Sequence, residues 1–255
     1  MSLLKASSLV LSFGGVQAIK DVSFEVSEGE VFSIIGPNGA GKTSIFNAIS
    51  RFYDLDSGRI EFQGRDITEA KDYTIAALGI ARTFQNCELF EHESVLKNLM
   101  IASDVHRQSN VLRDMLFLPS VRRQELAARE HIEEIIDLLD LQAYRYEVIA
   151  SLPFGVRKMV EIARGLCLRP QLILLDEPSS GLNPEETEDL VFWIEDINRE
   201  LGMTVLMVEH DMRLVGEVSH RVMAMNEGEV LTTGSFDEVR SHPTVLEAYL
   251  GGEHG

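Results

Sequence analysis

The stretch Val31–Thr43, VFSIIGPNGAGKT, decides the fold. It opens on an almost continuously apolar run, which is typical of a strand covered on both faces in a parallel sheet. The following GPNGAGKT fits the pattern GxxxxGK[ST], whose glycines let backbone N–H groups wrap around phosphate oxygens. A helix with Ile45, Phe46 and Ile49 on one face comes next, and its N-terminus adds positive dipole at the same point. The sequence therefore predicts a strand, a phosphate loop and a helix in that order.

The phosphate loop supplies two side chains with definite chemistry. We expect Lys42 to reach the β- and γ-phosphates of a nucleotide, and the hydroxyl of Thr43 to coordinate Mg²⁺. The alternative is a glycine-rich turn with an incidental lysine. The full pattern, placed between an apolar strand and a helix, argues for nucleotide binding instead.

Two carboxylates follow a second apolar run. Leu172–Leu175 (LILL) predicts a buried strand, and Asp176 and Glu177 stand at its carboxyl end, where ligands bind in open α/β sheets. Acidic residues there can also simply mark the exit of a strand into solvent. Together with the upstream phosphate loop, they indicate that Asp176 binds Mg²⁺ through a coordinated water. Glu177 would then deprotonate or orient the attacking water.

Hydrophobic periodicity places these motifs in a wider layout. Alternating apolar and polar residues predict antiparallel strands at Leu3–Phe13 and Asp21–Val26, with a further short strand at Arg59–Phe62. From about residue 72 to 168 the pattern is mostly helical. Within it, we interpret residues 95–150 as a helical insertion.

Strands and helices alternate again in the last third of the chain. Pro184–Leu201 and Met212–Val218 fit helices, Thr204–Val208 fits a buried strand, and residues 221–234 fit a hairpin that turns at Asn226–Gly228. Such alternation favours a mainly parallel sheet.

Composition narrows the class of protein. With 255 residues, 45% of them hydrophobic and 25% charged, the chain is of ordinary globular type and long enough for one α/β domain with an insertion. It has 23 Lys+Arg against 41 Asp+Glu, and this net charge of −18 argues against nucleic acid as a partner.

Cysteine usage and hydropathy bear on the compartment. Cys87 and Cys167 are too few and too far apart for a disulfide framework or a CxxC metal site, which indicates buried thiols in a reducing compartment. We see neither a secretory signal nor a run of about 18 apolar residues, so we expect any membrane contact to pass through a partner.

Several further motifs resemble, in the same order, those of the ATP-binding subunits of ABC transporters. Gln85 in ARTFQN resembles the Q-loop glutamine, and Leu152–Leu166 resembles the signature loop and its helix. Ser180–Asn183 (SGLN) resembles the D-loop, and His210 in VEHD resembles the switch histidine. The resemblance spans nearly the whole chain, and motifs in a shared order are far more specific than any one of them.

This resemblance implies an α/β fold: a P-loop NTPase (ABC ATPase) core with a mainly parallel sheet, an N-terminal antiparallel β layer and a helical insertion. A single domain would span residues 1–255. The ATP-binding core would comprise residues 1–94 and 151–255. A helical subdomain at residues 95–150 would continue into the signature helix.

The resemblance also implies ATP and Mg²⁺ as cofactors and assigns roles in the site. Lys42, Gln85, Glu177 and His210 would act in catalysis, and the metal residues would be Thr43, Gln85 and Asp176. The implied nucleotide-binding residues are Phe13, which would stack on adenine, with Gly36, Pro37, Asn38, Gly39, Ala40, Gly41, Lys42, Thr43, Ser44, Leu152 and Gly155.

Members of the family work as head-to-tail dimers, in which the signature loop of one chain faces the nucleotide of the other. The commonest signature reads LSGGQ, whereas this chain has LPFGV at residues 152–156. Pro153 cannot replace the serine hydroxyl that contacts the γ-phosphate. Backbone N–H groups near Gly155 and the helix N-terminus remain available, so we expect hydrolysis to survive.

Three segments, SFGGVQAIKDVSFEV, IARTFQN and the tail AYLGG, resemble the ATPase subunits of branched-chain amino-acid uptake systems. This branch implies a homodimer, or a heterodimer with a paralogous ATPase, bound to membrane permease subunits. A periplasmic solute-binding protein would take part indirectly. The ATPase would lie peripherally on the cytoplasmic face of the inner or plasma membrane. Urea and short amides remain alternative solutes.

An apolar group follows the Q-loop glutamine at Cys87, Leu89 and Phe90. It would either receive a permease coupling helix or pack the core of the helical insertion, and the sequence does not separate the two. Other functions fit less well. A non-transport ABC ATPase usually has coiled-coil insertions, tandem domains or basic surfaces. A small-molecule kinase would not need the Gln85, signature and His210 set.

Overall fold

The computed structural model describes residues 1–83, 89–103 and 119–251. The strands in chain order are β1 Ser2–Phe13, β2 Val16–Ser27, β3 Val31–Ile35, β4 Ser57–Phe62, β5 Arg65–Asp66, β6 Ile80–Arg82, β7 Leu172–Asp176, β8 Thr204–Val208, β9 Arg221–Asn226 and β10 Glu229–Gly234. The helices are α1 Lys42–Ile49, α2 Asp72–Leu78, α3 Val95–Ser103, α4 Pro119–Leu138, α5 Phe154–Cys167, α6 Pro184–Leu201, α7 Met212–Val218, α8 Phe236–Arg240 and α9 Pro243–Gly251.

The strands form two sheets. A four-stranded antiparallel sheet has the order β2-β1-β4-β5, with Leu4 of β1 opposite Val26 on one side and Phe62 on the other. A six-stranded sheet has the order β10-β9-β3-β8-β7-β6 and is parallel except for β10, which pairs antiparallel with β9. The expected fold class, with an N-terminal antiparallel layer beside a mainly parallel sheet, is confirmed.

Strand β3 shows why its run of apolar residues is continuous. Successive side chains of a strand point to opposite faces of the sheet. Phe32 and Ile34 therefore enter the hydrophobic core shared with the antiparallel sheet, while Val31 and Ile35 enter the core on the helical side. All four are at most 2% exposed. The sheet is covered on both faces, as a buried parallel strand requires.

The mostly helical stretch from residue 72 onward also contains a strand that the sequence pattern does not predict. Residues Ile80–Arg82 form β6, an edge strand that pairs parallel with β7, with Ile80 opposite Leu172. The strand is only three residues long. A segment of that length gives no usable periodicity, because alternation needs four or more residues to show.

Helix caps fix the chain where β7 and β8 end in functional loops. The side chain of Asn183 accepts a hydrogen bond from the N–H of Glu186 at 3.0 Å, and the Glu186 carboxylate accepts one from the N–H of Asn183 at 2.9 Å. This capping box starts α6. The Asp211 carboxylate caps α7 by accepting from the N–H groups of Arg213 and Leu214. Both loops are therefore pinned at their far ends.

The start of α3 lies beside residues 147 and 148, shortly before α5. The N–H of Val95 donates to the carbonyl of Glu147 at 3.1 Å, and Ser94 forms an isolated antiparallel bridge with Val148. Among the described residues, no helix has the length and apolar character needed to cross a membrane.

Candidate active site

The phosphate loop Gly36–Thr43 joins β3 to α1 at the carboxyl edge of the six-stranded sheet. A Cβ placed on Gly36 would lie 2.2 Å from the carbonyl oxygen of Met225, and one on Gly41 would lie 2.4 Å from that of Ala18. Gly41 also has φ 96°, a conformation that side-chain-bearing residues rarely adopt. Both positions require glycine, so neighbouring strands fix the loop shape from outside.

The other residues of the loop divide into base and tip. Ala40 is buried and its carbonyl accepts from the N–H of Gly228 in the β9–β10 turn at 3.1 Å. Asn38, Gly39 and Thr43 are exposed, and Pro37 and Ser44 are partly exposed. The tip is thus accessible to a ligand at the start of α1, where helix N–H groups and dipole favour an anion.

Lys42 is buried and folds back along its own loop. Its Nζ donates to the carbonyl oxygens of Gly36 at 2.6 Å and Pro37 at 3.0 Å. Burial lowers the pKa of this amine, while the negative charges of Glu177 and Asp176 raise it. Lys42 therefore lies close enough to Asp176 and Glu177 to interact with their charges. Lys42 and Asp176 are 134 positions apart in the chain (176 − 42).

Asp176, the last residue of β7, is held by a buried ion pair. Arg82 Nη2 donates to Asp176 Oδ2 at 2.8 Å, and the two side chains are 8% and 2% exposed. Burial raises the pKa of Asp176, and the Arg82 guanidinium opposes that rise. The second oxygen, Oδ1, is buried and has no hydrogen-bond partner among the described residues.

The buried Oδ1 of Asp176 bears on whether the site suits Mg²⁺. A buried carboxylate oxygen without a partner is unfavourable, and a hydrated cation would satisfy it. Mg²⁺ prefers oxygen ligands and is usually held by one or two carboxylates together with substrate phosphates. The described residues contain no cluster of three or more His, Cys, Asp or Glu side chains that could hold a metal alone. The Thr43 hydroxyl and the buried Oδ1 of Asp176 are oxygen donors of the kind that Mg²⁺ prefers, so these residues fit the ion.

Glu177 has an uncommon backbone conformation. Its φ is 49°, in the left-handed region, and its N–H donates to the carbonyl of Val208 at 2.9 Å. Its own carbonyl accepts from the N–H of Ser180 at 3.1 Å. A non-glycine residue in this region costs roughly 1–2 kcal/mol and recurs at functional sites. The turn carries the chain from β7 directly into the D-loop.

Glu209, which sequence reasoning did not single out, ties the D-loop to the switch segment. Its carboxylate is fully buried. One oxygen accepts from the N–H of Ser179 at 2.9 Å, and the other accepts from the N–H groups of His210 at 2.6 Å and Asp211 at 3.0 Å. A glutamate after an apolar strand looks like a solvent-exposed residue, so no signal in the sequence reveals this role.

His210 lies at the same sheet edge, one residue beyond Glu209. Its ring is 60% exposed, and Nδ1 lies 3.5 Å from Glu209 Oε2. Backbone bonds bring the ends of three strands together here, because the N–H of Glu209 donates to the carbonyl of Ile34 and that of Glu177 donates to Val208. The edge thus gathers the phosphate loop, the two carboxylates and the histidine.

The signature segment packs against the D-loop of the same chain. Helix α5 begins at Phe154, and the Pro153 side chain makes no capping hydrogen bond. A Cβ on Gly181 would lie 2.8 Å from the ring of half-exposed Phe154, and one on Gly155 would lie 2.5 Å from Glu186 Oε1. Leu152 is 5% exposed within the helical-side core.

The aromatic residue expected to stack on adenine stands at the end of β1. Phe13 is 46% exposed, and its ring meets that of Tyr53 edge to face with centroids 4.9 Å apart. Tyr53 follows α1, and it is a contact that sequence reasoning missed. An exposed ring held by a second ring is a stable platform for a planar base.

The structure separates the apolar residues after the Q-loop. Leu89 is 8% exposed and belongs to the helical-side core, whereas Phe90 is half exposed. Gln85 and Cys87 lie outside the described residues. The packing interpretation is therefore the correct one for Leu89.

Phe90 lines a groove between α2, β6, α3 and α5. The groove has a volume of about 450 Å³. Its walls include Phe52, Tyr73, Arg82, Phe90, Ile101 and Arg164. Arg82 extends from this groove to the candidate metal carboxylate of Asp176.

Two family models match the chain. The model described as ABC transporter matches residues 19–180. The model described as branched-chain amino acid ATP-binding cassette transporter matches residues 229–255. Together they include the phosphate loop, Asp176, Glu177 and the C-terminal segment.

Individual proteins are similar over the whole chain. It is 38% identical over 249 residues, 98% of each chain, to the high-affinity branched-chain amino acid transport ATP-binding protein BraF of Pseudomonas aeruginosa. It is 36% identical, with the same coverage, to LivG of Salmonella typhimurium, which bears the same description. A solved ADP conformation of an ATP-binding cassette of an ABC transporter is 30% identical with a TM-score of 0.85, covering 98% of this chain and 99% of that one.

Proposed function

The chain belongs to the ABC transporter family of ATP-binding, ATP-hydrolysing subunits, and we propose that it energises an importer for branched-chain or related amino acids. The convergence of phosphate loop, buried Asp176, strained Glu177 and His210 on one sheet edge carries the proposal. The names of the relatives support the solute class.

In the proposed mechanism, the residues Gly36–Ser44 bind the phosphates of ATP, and Phe13 stacks on the adenine. Lys42 leaves the carbonyls of Gly36 and Pro37 for the β- and γ-phosphates, since a phosphate oxygen is the stronger partner for an ammonium group. The Thr43 hydroxyl, Gln85 and Asp176 would hold the metal ion. Mg²⁺, when bound, neutralises charge on the phosphates as the γ-phosphoryl group is transferred.

Glu177 acts on the water that attacks the γ-phosphate. Its carboxylate accepts the water proton or holds the water in line, and a positioned base of this kind contributes about 10²–10⁴-fold to the rate. His210 is exposed at the same edge and contacts the γ-phosphate. The buried Glu209 carboxylate fixes the backbone that carries this histidine.

A second ATPase chain completes the site in this proposal. Leu152 and Gly155 mark the signature loop, whose backbone N–H groups at the start of α5 face the nucleotide of the partner. A second copy of this chain or a paralogous ATPase fills that role equally well. Pro153 removes one hydroxyl contact and leaves these N–H groups in place.

The proposed layout has an ATP-binding core at residues 1–94 and 151–255 and a helical subdomain at 95–150. The bridge between Ser94 and Val148, which brings the residue just before this segment next to its far end, supports it. Permease subunits bind in the groove lined by Phe90, which holds the ATPase at the cytoplasmic face of the membrane. A periplasmic binding protein delivers the solute on the other side.

Uptake of radiolabelled leucine tests the proposal, in cells where this chain is the sole copy of the subunit. Glu177→Gln should reduce uptake by about 10²-fold or more, because it removes the base while leaving the ATP contacts. Glu200→Gln, an exposed glutamate at the end of α6, is the matched control. Leucine uptake that is insensitive to Glu177→Gln contradicts the proposal. If urea or amide uptake falls instead, the solute class is wrong.

The groove is tested separately with Phe90→Asp. Replacing this half-exposed ring with a carboxylate should abolish uptake, because it should prevent the permease from binding in the groove. The purified chain should still hydrolyse ATP, because the nucleotide site is unchanged. Phe192→Asp introduces the same charge in place of an exposed ring on α6 and should leave uptake intact. Leu89→Asp is unsuitable, because it would bury a charge in the core.

A further inference from the structure

Arg82 is the residue that physically joins the groove to the candidate metal site. One guanidinium nitrogen donates to Asp176 Oδ2 at 2.8 Å. Another donates to Asn47 Oδ1 at 2.7 Å and approaches Ser50 Oγ at 3.3 Å, both in or next to α1. The side chain thus spans from the helix after the phosphate loop to the end of β7.

The guanidinium of Arg82 also lies near two aromatic rings. Its guanidinium carbon lies 5.6 Å from the ring centroid of Phe46 and 5.8 Å from that of Phe52. Phe46 is fully buried, whereas Phe52 is 53% exposed and forms part of the groove wall. A group that enters the groove therefore meets a ring that packs on the arginine.

The hydrogen bonds of Arg82 also orient the aspartate. Because Oδ2 is occupied by the guanidinium, Asp176 is left with Oδ1 as the oxygen that has no hydrogen-bond partner among the described residues. Partners that fix a metal-binding side chain from behind typically change metal affinity or activity by about 10–100-fold when they are removed.

We propose that Arg82 is a positioning residue that presents Asp176 Oδ1 to the divalent cation, and that Phe52 makes this presentation sensitive to what occupies the groove. The inference rests on the proposed function, since it takes Asp176 as a metal residue. It supplies a route from the groove to the metal that is separate from the Q-loop glutamine.

Mn²⁺ binding to the purified full-length chain tests this. Free Mn²⁺ is measured by electron paramagnetic resonance in the presence of ADP, and ADP binding without metal is measured by calorimetry. Arg82→Lys keeps the positive charge but loses the planar guanidinium that donates to Asp176 and Asn47 at the same time. We expect Mn²⁺ affinity to fall by about tenfold or more, with metal-free ADP affinity within about twofold of the wild type.

Two milder variants cover the case in which Arg82→Lys folds poorly. Asn47→Ala removes the partner that holds the other end of the guanidinium, without adding a buried charge. Phe52→Leu removes the exposed ring on the groove side, and Phe192→Leu is its matched control on α6. Asn47→Ala and Phe52→Leu should weaken Mn²⁺ binding in the same direction and by a smaller factor, and Phe192→Leu should not.

The outcomes separate the parts of the inference. Wild-type Mn²⁺ affinity in folded Arg82→Lys and in Asn47→Ala overturns the positioning role. Equal loss of metal-free ADP binding shows a general structural role and overturns it as well. A normal Phe52→Leu beside a weakened Arg82→Lys overturns the link to the groove. A wild-type chain that binds no Mn²⁺ with ADP contradicts the proposed function itself.

Discussion

Adjacent carboxylates occupy different environments at the end of β7. Asp176 is the last strand residue, 2% exposed and bonded to Arg82. Glu177 is the first residue beyond it, only partly buried, with its backbone in the left-handed region. Two neighbouring acids placed in unlike surroundings can take unlike roles. In the proposed mechanism, Asp176 serves the cation and Glu177 serves the attacking water.

Replacing Phe13 should weaken the binding of the adenine base of ATP and leave the binding of its phosphates unchanged. Phe13→Leu should raise the Kd for ATP about tenfold, since stacking of a base on an aromatic ring contributes roughly 1–3 kcal/mol. Calorimetry with ATP and with inorganic triphosphate separates the two parts of the ligand. Triphosphate affinity should not change, and a Phe192→Leu control should bind both normally. Equal loss for both ligands would show that Phe13 does not contact the base.

Cys167 should be chemically inert in the native protein. It is 1% exposed, and burial raises the pKa of its thiol to about 12 because desolvation disfavours the thiolate. The raised pKa leaves almost no reactive thiolate at pH 8. In a Cys87→Ser variant, a thiol reagent at pH 8 should label nothing until guanidinium unfolds the chain. Rapid labelling of the native variant would refute the burial.

At the scale of elements, the signature helix α5 and the D-loop act as one packed unit. The ring of Phe154 covers Gly181, and the carboxylate of Glu186 in the α6 capping box covers Gly155. The residue that replaces a glycine of the common signature therefore contacts the D-loop of its own chain. The two loops therefore share one set of packing contacts.

Gly181→Ala should destabilise the protein, because φ is 83° and the added Cβ would lie 2.8 Å from Phe154. We expect a loss of roughly 1–2 kcal/mol, which lowers Tm by about 2–4 °C per kcal/mol in a chain of this size. Differential scanning calorimetry of Gly181→Ala, Phe154→Ala and the double variant measures the contact. The double variant should lose less than the sum of the single losses, and simple additivity would show that the two residues are not coupled.

The elements that the sequence predicts well are those long enough to show the hydrophobic periodicity of a strand or a helix. Strands β3, β7 and β8 stand out because both faces are buried, and α6 because its 18 residues show the helical period. Strand β6 was missed because three residues show no period. Its existence depends on pairing with β7, a contact between segments 92 positions apart at Ile80 and Leu172 (172 − 80).

At the scale of the whole molecule, the motifs predicted the members of the site but not what holds them. Lys42, Asp176 and Glu177 were predicted from local patterns and His210 from the family resemblance, and the structure gathers all four on one sheet edge. The Arg82–Asp176 ion pair joins residues 94 apart in the chain, and the Glu209–Ser179 bond joins residues 30 apart. No local pattern encodes such contacts, because they form only when the sheet is assembled.

ATP turnover is measured for the purified chain with Mg²⁺, alone and with the proposed permease subunits, beside Glu177→Gln. Hydrolysis of ATP by this site despite Pro153 in the signature is the expectation under test. It predicts turnover at least about 10²-fold above the Glu177→Gln variant, with both proteins binding ATP alike. Turnover of the wild-type chain that does not exceed that of Glu177→Gln would contradict it.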